Sequence, residues 1–199
     1  MKGISKESLE DALFLVAIPR GKLLKTSRQL QEKLNERFDL YRDKLPPLHL
    51  TIERLKIKTD LEYRKAVEII DSVCDLTEPF EVNVDGFSFF GPPYKSINLK
   101  VSATEPIKEL SQRMNEQLRF EGLTDRNFDQ DWEFHISLVN MVFADREWCA
   151  EEYLEAKEIV GNWKLNLTCK VEWLELWKPQ YNPRLIIEDF FPLRNKVNI

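Results

Sequence analysis

Apolar positions recur along this chain with two different periods, and their alternation outlines a fold. Ala12 to Pro19 is a continuous apolar run of strand length, and from Lys22 to Phe38 the spacing becomes helical, with Leu23, Leu30, Leu34 and Phe38 on one side. Leu48 to Ile57 alternates like a strand. Thr59 and Asp60 then cap a helix running to about Cys74, with Leu61, Val67, Ile70 and Val73 on its apolar side. Phe80 to Phe90 is a third strand, and the sequence GPPY at Gly91 to Tyr94 breaks the chain.

After that break a similar order begins again. Ile97 to Val101 predicts a strand, and Pro106 to Phe120 a helix with Thr104 as cap, Pro106 in its first turn and Gly122 beyond its end. Trp132 to Asn140 is a strand, Asp145 caps a helix that stops at Gly161, Leu165 to Trp177 is one long strand, and Arg184 to Phe191 is the last. The order β-α-β-α-β thus occurs twice, in pseudo-repeats of about residues 10–92 and 93–191 within a single bilobal domain covering 1–199. The interrupting segments GPPY and KPQYNP place Tyr94 and Tyr181 87 positions apart.

The two middle strands carry the same pattern of chemistry. The first contains His49-Leu50-Thr51-Ile52 and the second His135-Ile136-Ser137-Leu138, 86 positions further on; these are the chain's only two histidines. Strand side chains alternate faces, so His49 and Thr51 share one face while Leu48, Leu50 and Ile52 take the other, and His135 and Ser137 follow suit. Trp132 and Phe134 have the opposite parity to His135 and are assigned to the core. An imidazole and a hydroxyl two residues apart are separated by about 6.6 Å along a strand, a spacing that flanks one phosphate.

Breaking a phosphodiester needs one group to take a proton from the nucleophile and another to give one to the leaving oxygen. Histidine, with an unperturbed pKa near about 6.5, suits both tasks, and hydroxyl groups at Thr51 and Ser137 would donate hydrogen bonds to the non-bridging oxygens. This scheme needs neither metal nor organic cofactor. Catalytic zinc takes three protein ligands and no third histidine exists; its completion would fall to Glu53 or Glu133, which share the parity of the neighbouring histidine. No GxSxG elbow, P-loop or GxGxxG is present. Tyr94 and Tyr181 would either stack a base or pack as turn residues, and Arg20 would either hold phosphate or stand as a solvated arginine.

Composition narrows the setting. A chain of 199 residues with 43% hydrophobic and 11% aromatic residues can bury a real core. The formal net charge of −5 argues against wrapping long nucleic acid, and the clusters Arg20-Lys22-Lys25 and Arg54-Lys56-Lys58 read first as solvated faces. RNA termini or small cyclic nucleotides remain as substrates. The apolar run near the N-terminus is too short for a signal peptide or membrane span. Cys74, Cys149 and Cys169 form no CxxC pair and read as reduced core thiols of a cytoplasmic protein. Nothing calls for an obligate protein partner, so a monomer is expected.

The paired motifs HLTI and HISL resemble those of the two-histidine phosphoesterase superfamily, and the order of elements is closest to its 2′-5′ RNA ligase-like and cyclic phosphodiesterase branch. The likeness runs from FLVAIP at the first strand to YNPRLIIEDFF at the last. It implies an α+β fold with bilobal, duplicated β-α-β-α-β lobes, antiparallel sheets facing a central cleft and helices outside. It also implies hydrolysis of 2′,3′-cyclic phosphates on nucleotides or RNA ends, with 2′-5′ linkage chemistry in some members, His135 as base and His49 as acid. The reading from another class is a module that binds a nucleotide or RNA end without turnover; two proton-transfer groups would be superfluous there.

Overall fold

Residues 12–92, 94–128, 132–179 and 186–194 are described by the computed structural model of the chain. The elements in order are β1 (Ala12–Ala17), α1 (Gly21–Phe38), β2 (Leu50–Lys56), α2 (Asp60–Asp75), β3 (Phe80–Phe90), β4 (Ser96–Val101), α3 (Glu105–Phe120), β5 (His135–Val139), α4 (Ala150–Gly161), β6 (Asn166–Val171), β7 (Trp173–Lys178) and β8 (Ile186–Pro192). The fold is α+β, with an antiparallel sheet whose strand order is β6-β3-β4-β5-β2-β1-β7-β8.

Three local expectations are corrected. The segment Leu165 to Trp177 is not one strand: it divides at Glu172 into β6 and β7, which pair with β3 and β1 respectively. The buried positions slip phase at the break, from Leu167, Cys169 and Val171 to Leu174 and Leu176. The helix assigned to an Asp145 cap begins only at Ala150, behind the Cys149 cap; the Asp145 carboxylate instead accepts from the Arg42 backbone N–H at 2.7 Å. A 3-10 turn, Met141–Phe143, fills the gap. Of the three thiols expected in the core, Cys74 and Cys169 are buried, but Cys149 is exposed because it caps the helix.

The break at Glu172 dictates the shape of the sheet. β6 lies at one edge and β7 next to the other edge, yet a single residue joins them, so the sheet must curl into a half-barrel. The third strand of each sequence repeat also crosses over. β3 joins β4, β5 and β6, while β7 and β8 join β1 and β2, so each half of the sheet draws on both repeats. In the ladder the two halves meet at one residue pair, Leu50 and Ile136, between the two motif strands.

Helix α2 starts with a capping box: the Glu62 N–H donates to Thr59 Oγ1 at 3.2 Å and the Thr59 N–H to Glu62 Oε2 at 3.0 Å. Its buried side is Ala66, Ile70, Val73 and Cys74, whereas Leu61, in the first turn beyond the reach of the sheet, is exposed. α1 packs on β5 and β6, and α3 on β2 and β3, so both motif strands are backed by helices. Leu48, Leu50, Ile52, Phe134, Ile136 and Leu138 fill the core between them. Replacing Thr59 by alanine is expected to lower stability by about 1 kcal/mol. Chemical denaturation checks this, and an unchanged midpoint would show that the capping box contributes nothing.

Candidate functional site

The alternation expected of the motif strands is present. His49, Thr51, His135 and Ser137 are half-buried on one face, and the residues between them are buried on the other. The Leu50–Ile136 pair sets their mutual register. One residue to either side in an antiparallel ladder, His49 comes opposite Ser137 and Thr51 opposite His135. Directly opposed side chains have Cβ atoms about 5 Å apart, so each hydroxyl stands beside the histidine of the other motif, and the histidines lie on a diagonal.

Both imidazoles are oriented in the same way. His49 Nδ1 lies 2.9 Å from the Pro47 carbonyl oxygen and His135 Nδ1 lies 3.0 Å from that of Glu133, two residues upstream in each case. A carbonyl only accepts, so Nδ1 carries the hydrogen and Nε2 is left to exchange a proton. Each ring also rests on an aromatic neighbour. His49 packs against Trp177 with ring centroids 5.0 Å apart, and His135 meets Phe90 edge-on at 4.8 Å. Phe90 and Trp177 are 87 positions apart, the same offset as Tyr94 and Tyr181, so the repeat spacing itself would have identified them.

Of the two acidic residues considered as metal ligands, Glu53 is diverted, whereas the Glu133 carboxylate is exposed and near enough to act on His135. A bulge opposite the Leu15–Val16 step of β1 puts Ile52 out of register, so Leu15 pairs with Glu53 while Val16 pairs with Thr51. The bulge cancels the expected parity. Glu53 turns into the interior, where it accepts from Asn115 Nδ2 at 2.7 Å and faces Arg126 at 3.7 Å. Glu133 contributes its backbone carbonyl to His135. Among the described residues no three His, Cys, Asp or Glu side chains cluster as a metal site.

The remaining candidates separate. Arg20 is the N-cap residue of α1, its half-exposed guanidinium 3.7 Å above the Trp173 ring and 3.1 Å from Glu172. Tyr94 lies half-buried in the turn before β4, its N–H donating to the Gly91 carbonyl at 3.0 Å. Tyr181 lies outside the described residues.

Further residues come to the site from strands that carry no motif. Lys100 of β4 stands opposite His135 with its side chain exposed, and Asn98 stands opposite Ser137. Glu175 accepts from the indole N–H groups of Trp173 at 3.1 Å and Trp177 at 2.7 Å, which steadies the ring under His49. No local pattern marks these positions; only the strand pairing brings them in.

Both histidines have pKa values below the ordinary one. Burial is the main cause for each, opposed by the hydrogen bond to the upstream carbonyl. A charge on His135 lowers His49 further, while His135 feels Glu133 raising and Arg126 lowering its value.

Residues 27–182 match the 2′-5′ RNA ligase superfamily. The chain belongs to this family, the two-histidine phosphoesterases. Solved structures share the fold of this family member. The protein TT0787 of Thermus thermophilus superposes with a TM-score of 0.67 at 18% identity, covering 94% of this chain and 100% of its own. E. coli LigT complexed with 3′-AMP gives 0.65 at 13%, over 92% and 98%. The MHV ns2 PDE domain gives 0.53 at 20%, over 89% and 97%. No curated protein sequence matches the chain.

The lowered histidine values set the sign of a pH effect. Between the folded values and about 6.5 the unfolded state binds more protons, so stability rises with pH there and is lost as pH falls through the folded values. NMR titration is expected to show both imidazoles protonating below about pH 6.5. His135→Gln should move the His49 midpoint upward. A midpoint above the ordinary value for either ring in the free protein would contradict this account.

Proposed function

We propose that this chain is a phosphodiesterase that opens 2′,3′-cyclic phosphates on nucleotides or RNA ends by general acid and base catalysis, without a metal. The observation that carries the reading is the doubled arrangement of imidazole and hydroxyl across the seam, with each Nδ1 committed to a carbonyl and each Nε2 available. A site for binding alone has no use for two proton-exchanging atoms on opposite sides of one phosphate. E. coli LigT, which shares the fold, holds 3′-AMP, a molecule of the kind such a reaction releases.

His135 takes a proton from water through Nε2 as the water oxygen bonds to phosphorus. His49 gives its Nε2 proton to the ribose oxygen as the phosphorus–oxygen bond to that oxygen breaks. This assignment of roles follows the family resemblance. One imidazole must enter neutral and the other protonated, although both have lowered values in the free protein. The bound phosphodiester supplies the compensation, since its negative charge favours the protonated form of a nearby imidazole. Thr51 donates to a non-bridging oxygen, and Lys100 adds a positive charge beside His135. Glu53 faces the interior, so β2 offers no carboxylate as a third ligand beside the two histidines.

The family fits a role in processing RNA ends. The free thiols Cys74, Cys149 and Cys169 fit the cytoplasm, and a single bilobal monomer suffices to form the site.

Purified protein in EDTA is expected to hydrolyse 2′,3′-cyclic nucleotides and cyclic-phosphate RNA oligomers. His49→Ala and His135→Ala should each lose about 10² to 10⁴ in kcat. The double variant should be little worse than either, because the pair acts as a unit. Undiminished turnover in both single variants, or binding without turnover in the parent, would defeat the proposal.

The rate against pH should be bell-shaped, kcat/KM reporting the free protein and kcat the complex. The acidic limb of kcat/KM is expected below about pH 6.5, and the limb governed by the acid should lie higher in kcat than in kcat/KM. Coincident profiles would show that the substrate charge does not raise the acid.

A further inference from the structure

The two motifs match in sequence, but the strands beside them make their hydroxyl groups unequal. β1 and β4 occupy equivalent places, each flanking one motif strand on the side away from the seam. β1 sets Val16 opposite Thr51, and β4 sets Asn98 opposite Ser137. Val16 is fully buried and apolar, and among the described residues the Thr51 hydroxyl has no hydrogen-bond partner. Its proton is available to the cleft.

Ser137 differs. Its Oγ donates to Asn98 Oδ1 at 2.9 Å, while Asn98 Nδ2 donates to Ser96 Oγ at 3.1 Å. Asn98 is 0% exposed, and Ser96 is buried beside it. A hydroxyl has one proton and two lone pairs. With that proton spent on Asn98, Ser137 offers the cleft lone pairs only.

We propose that Asn98 is a positioning residue of the site: it draws the Ser137 hydroxyl proton away from the cleft, so that Ser137 accepts a hydrogen bond from water or a ribose hydroxyl. Thr51 is then the motif hydroxyl that donates to the phosphate. The inference rests on the phosphodiesterase reading and revises the expectation that both hydroxyl groups donate. A water held between the Ser137 lone pair and a histidine Nε2 has its two protons directed and its own lone pair free to meet phosphorus. The burial of Asn98 gives the arrangement rigidity, because an unbonded amide there would lose its hydration without replacement.

Two measurements test this, one without substrate. In the free protein the side-chain amide protons of Asn98, followed by NMR, should exchange slowly with solvent. Ser96→Ala should release them and Ser137→Ala should not. The reverse result means that the amide donates to Ser137, and overturns the inference.

The second measurement compares the two diastereomers of a 2′,3′-cyclic phosphorothioate, in which sulfur, a weak acceptor, replaces one or the other non-bridging oxygen. Thr51→Val should bring the ratio of their rates toward one. Ser137→Ala and Asn98→Leu should each lower kcat about tenfold, a loss of the size of one hydrogen bond, with KM and the isomer ratio near those of the parent and no further loss in combination. Asn98→Asp retains an acceptor for Ser137 and should recover most of kcat; it carries the test if the leucine variant does not fold. A folded Asn98→Leu with parental kcat, or a Ser137→Ala that collapses the isomer ratio, overturns the inference. A parent without turnover overturns the phosphodiesterase reading alone, and the exchange measurement then decides the orientation of Ser137.

Discussion

Leu50 and Ile136 pair across the seam between β2 and β5, where the ladder joins the two halves of the sheet, and the site exists because of that register. A shift of one residue in either strand would carry its histidine and hydroxyl into the core and its aliphatic residues into the cleft. The register is held from both faces of the problem. Leu48, Ile52, Phe134 and Leu138 are buried around the pair, so a slip would expose several large apolar side chains and bury polar ones. Remote ties add to this. Glu172 closes the curl between β6 and β7, and the Tyr41 hydroxyl receives the Asn140 N–H at 2.9 Å just beyond the end of β5.

The buried brace behind β2 shows how closely structure and site are coupled. The bulge at Ile52 frees Glu53 to face α3, where Asn115 bonds both Glu53 and the Arg126 carbonyl and accepts from the Phe128 N–H at 3.1 Å. The chain leading into β5 is therefore fastened to the chain leaving Thr51. Arg126, 3.6 Å over the Trp132 ring, keeps its charge near His135 without entering a hydrogen bond to it, and so favours the neutral imidazole. The net acidity of the chain coexists with positive charge beside His135, from Arg126 and from Lys100 on the neighbouring strand.

The faces of the motif strands were legible because a period of two is a property of the strand alone. His49, Thr51, His135 and Ser137 needed nothing but their own neighbours to be sorted from Leu48, Leu50 and Ile136. What lay beyond that reading depends on pairing. A bulge is an event between two strands, so the parity of Glu53 read from β2 by itself points the wrong way. The break at Glu172 leaves a phase slip in the buried positions, but an alternating apolar run conceals it until β6 and β7 are seen to pair with different partners. Asn98 is one asparagine in a strand, and only the ladder to β5 gives it a role beside Ser137.

The likeness of the two halves sets the matched motifs side by side, and the departures from that likeness give the two imidazoles different surroundings. Two identical halves would offer two equivalent imidazoles, whereas opening an ester needs one to arrive empty and the other loaded. The repeats diverge in the shell around the motifs rather than within them. His49 is bordered by Trp177 and feels the charge of its twin, while His135 has Phe90, Glu133 and Arg126 as neighbours. Among the described residues the Thr51 hydroxyl beside Val16 has no partner, while Asn98 binds that of Ser137. Because the motif strands keep the same spacing across one seam, such substitutions in flanking strands can divide the labour between the halves without disturbing the geometry that brings them together.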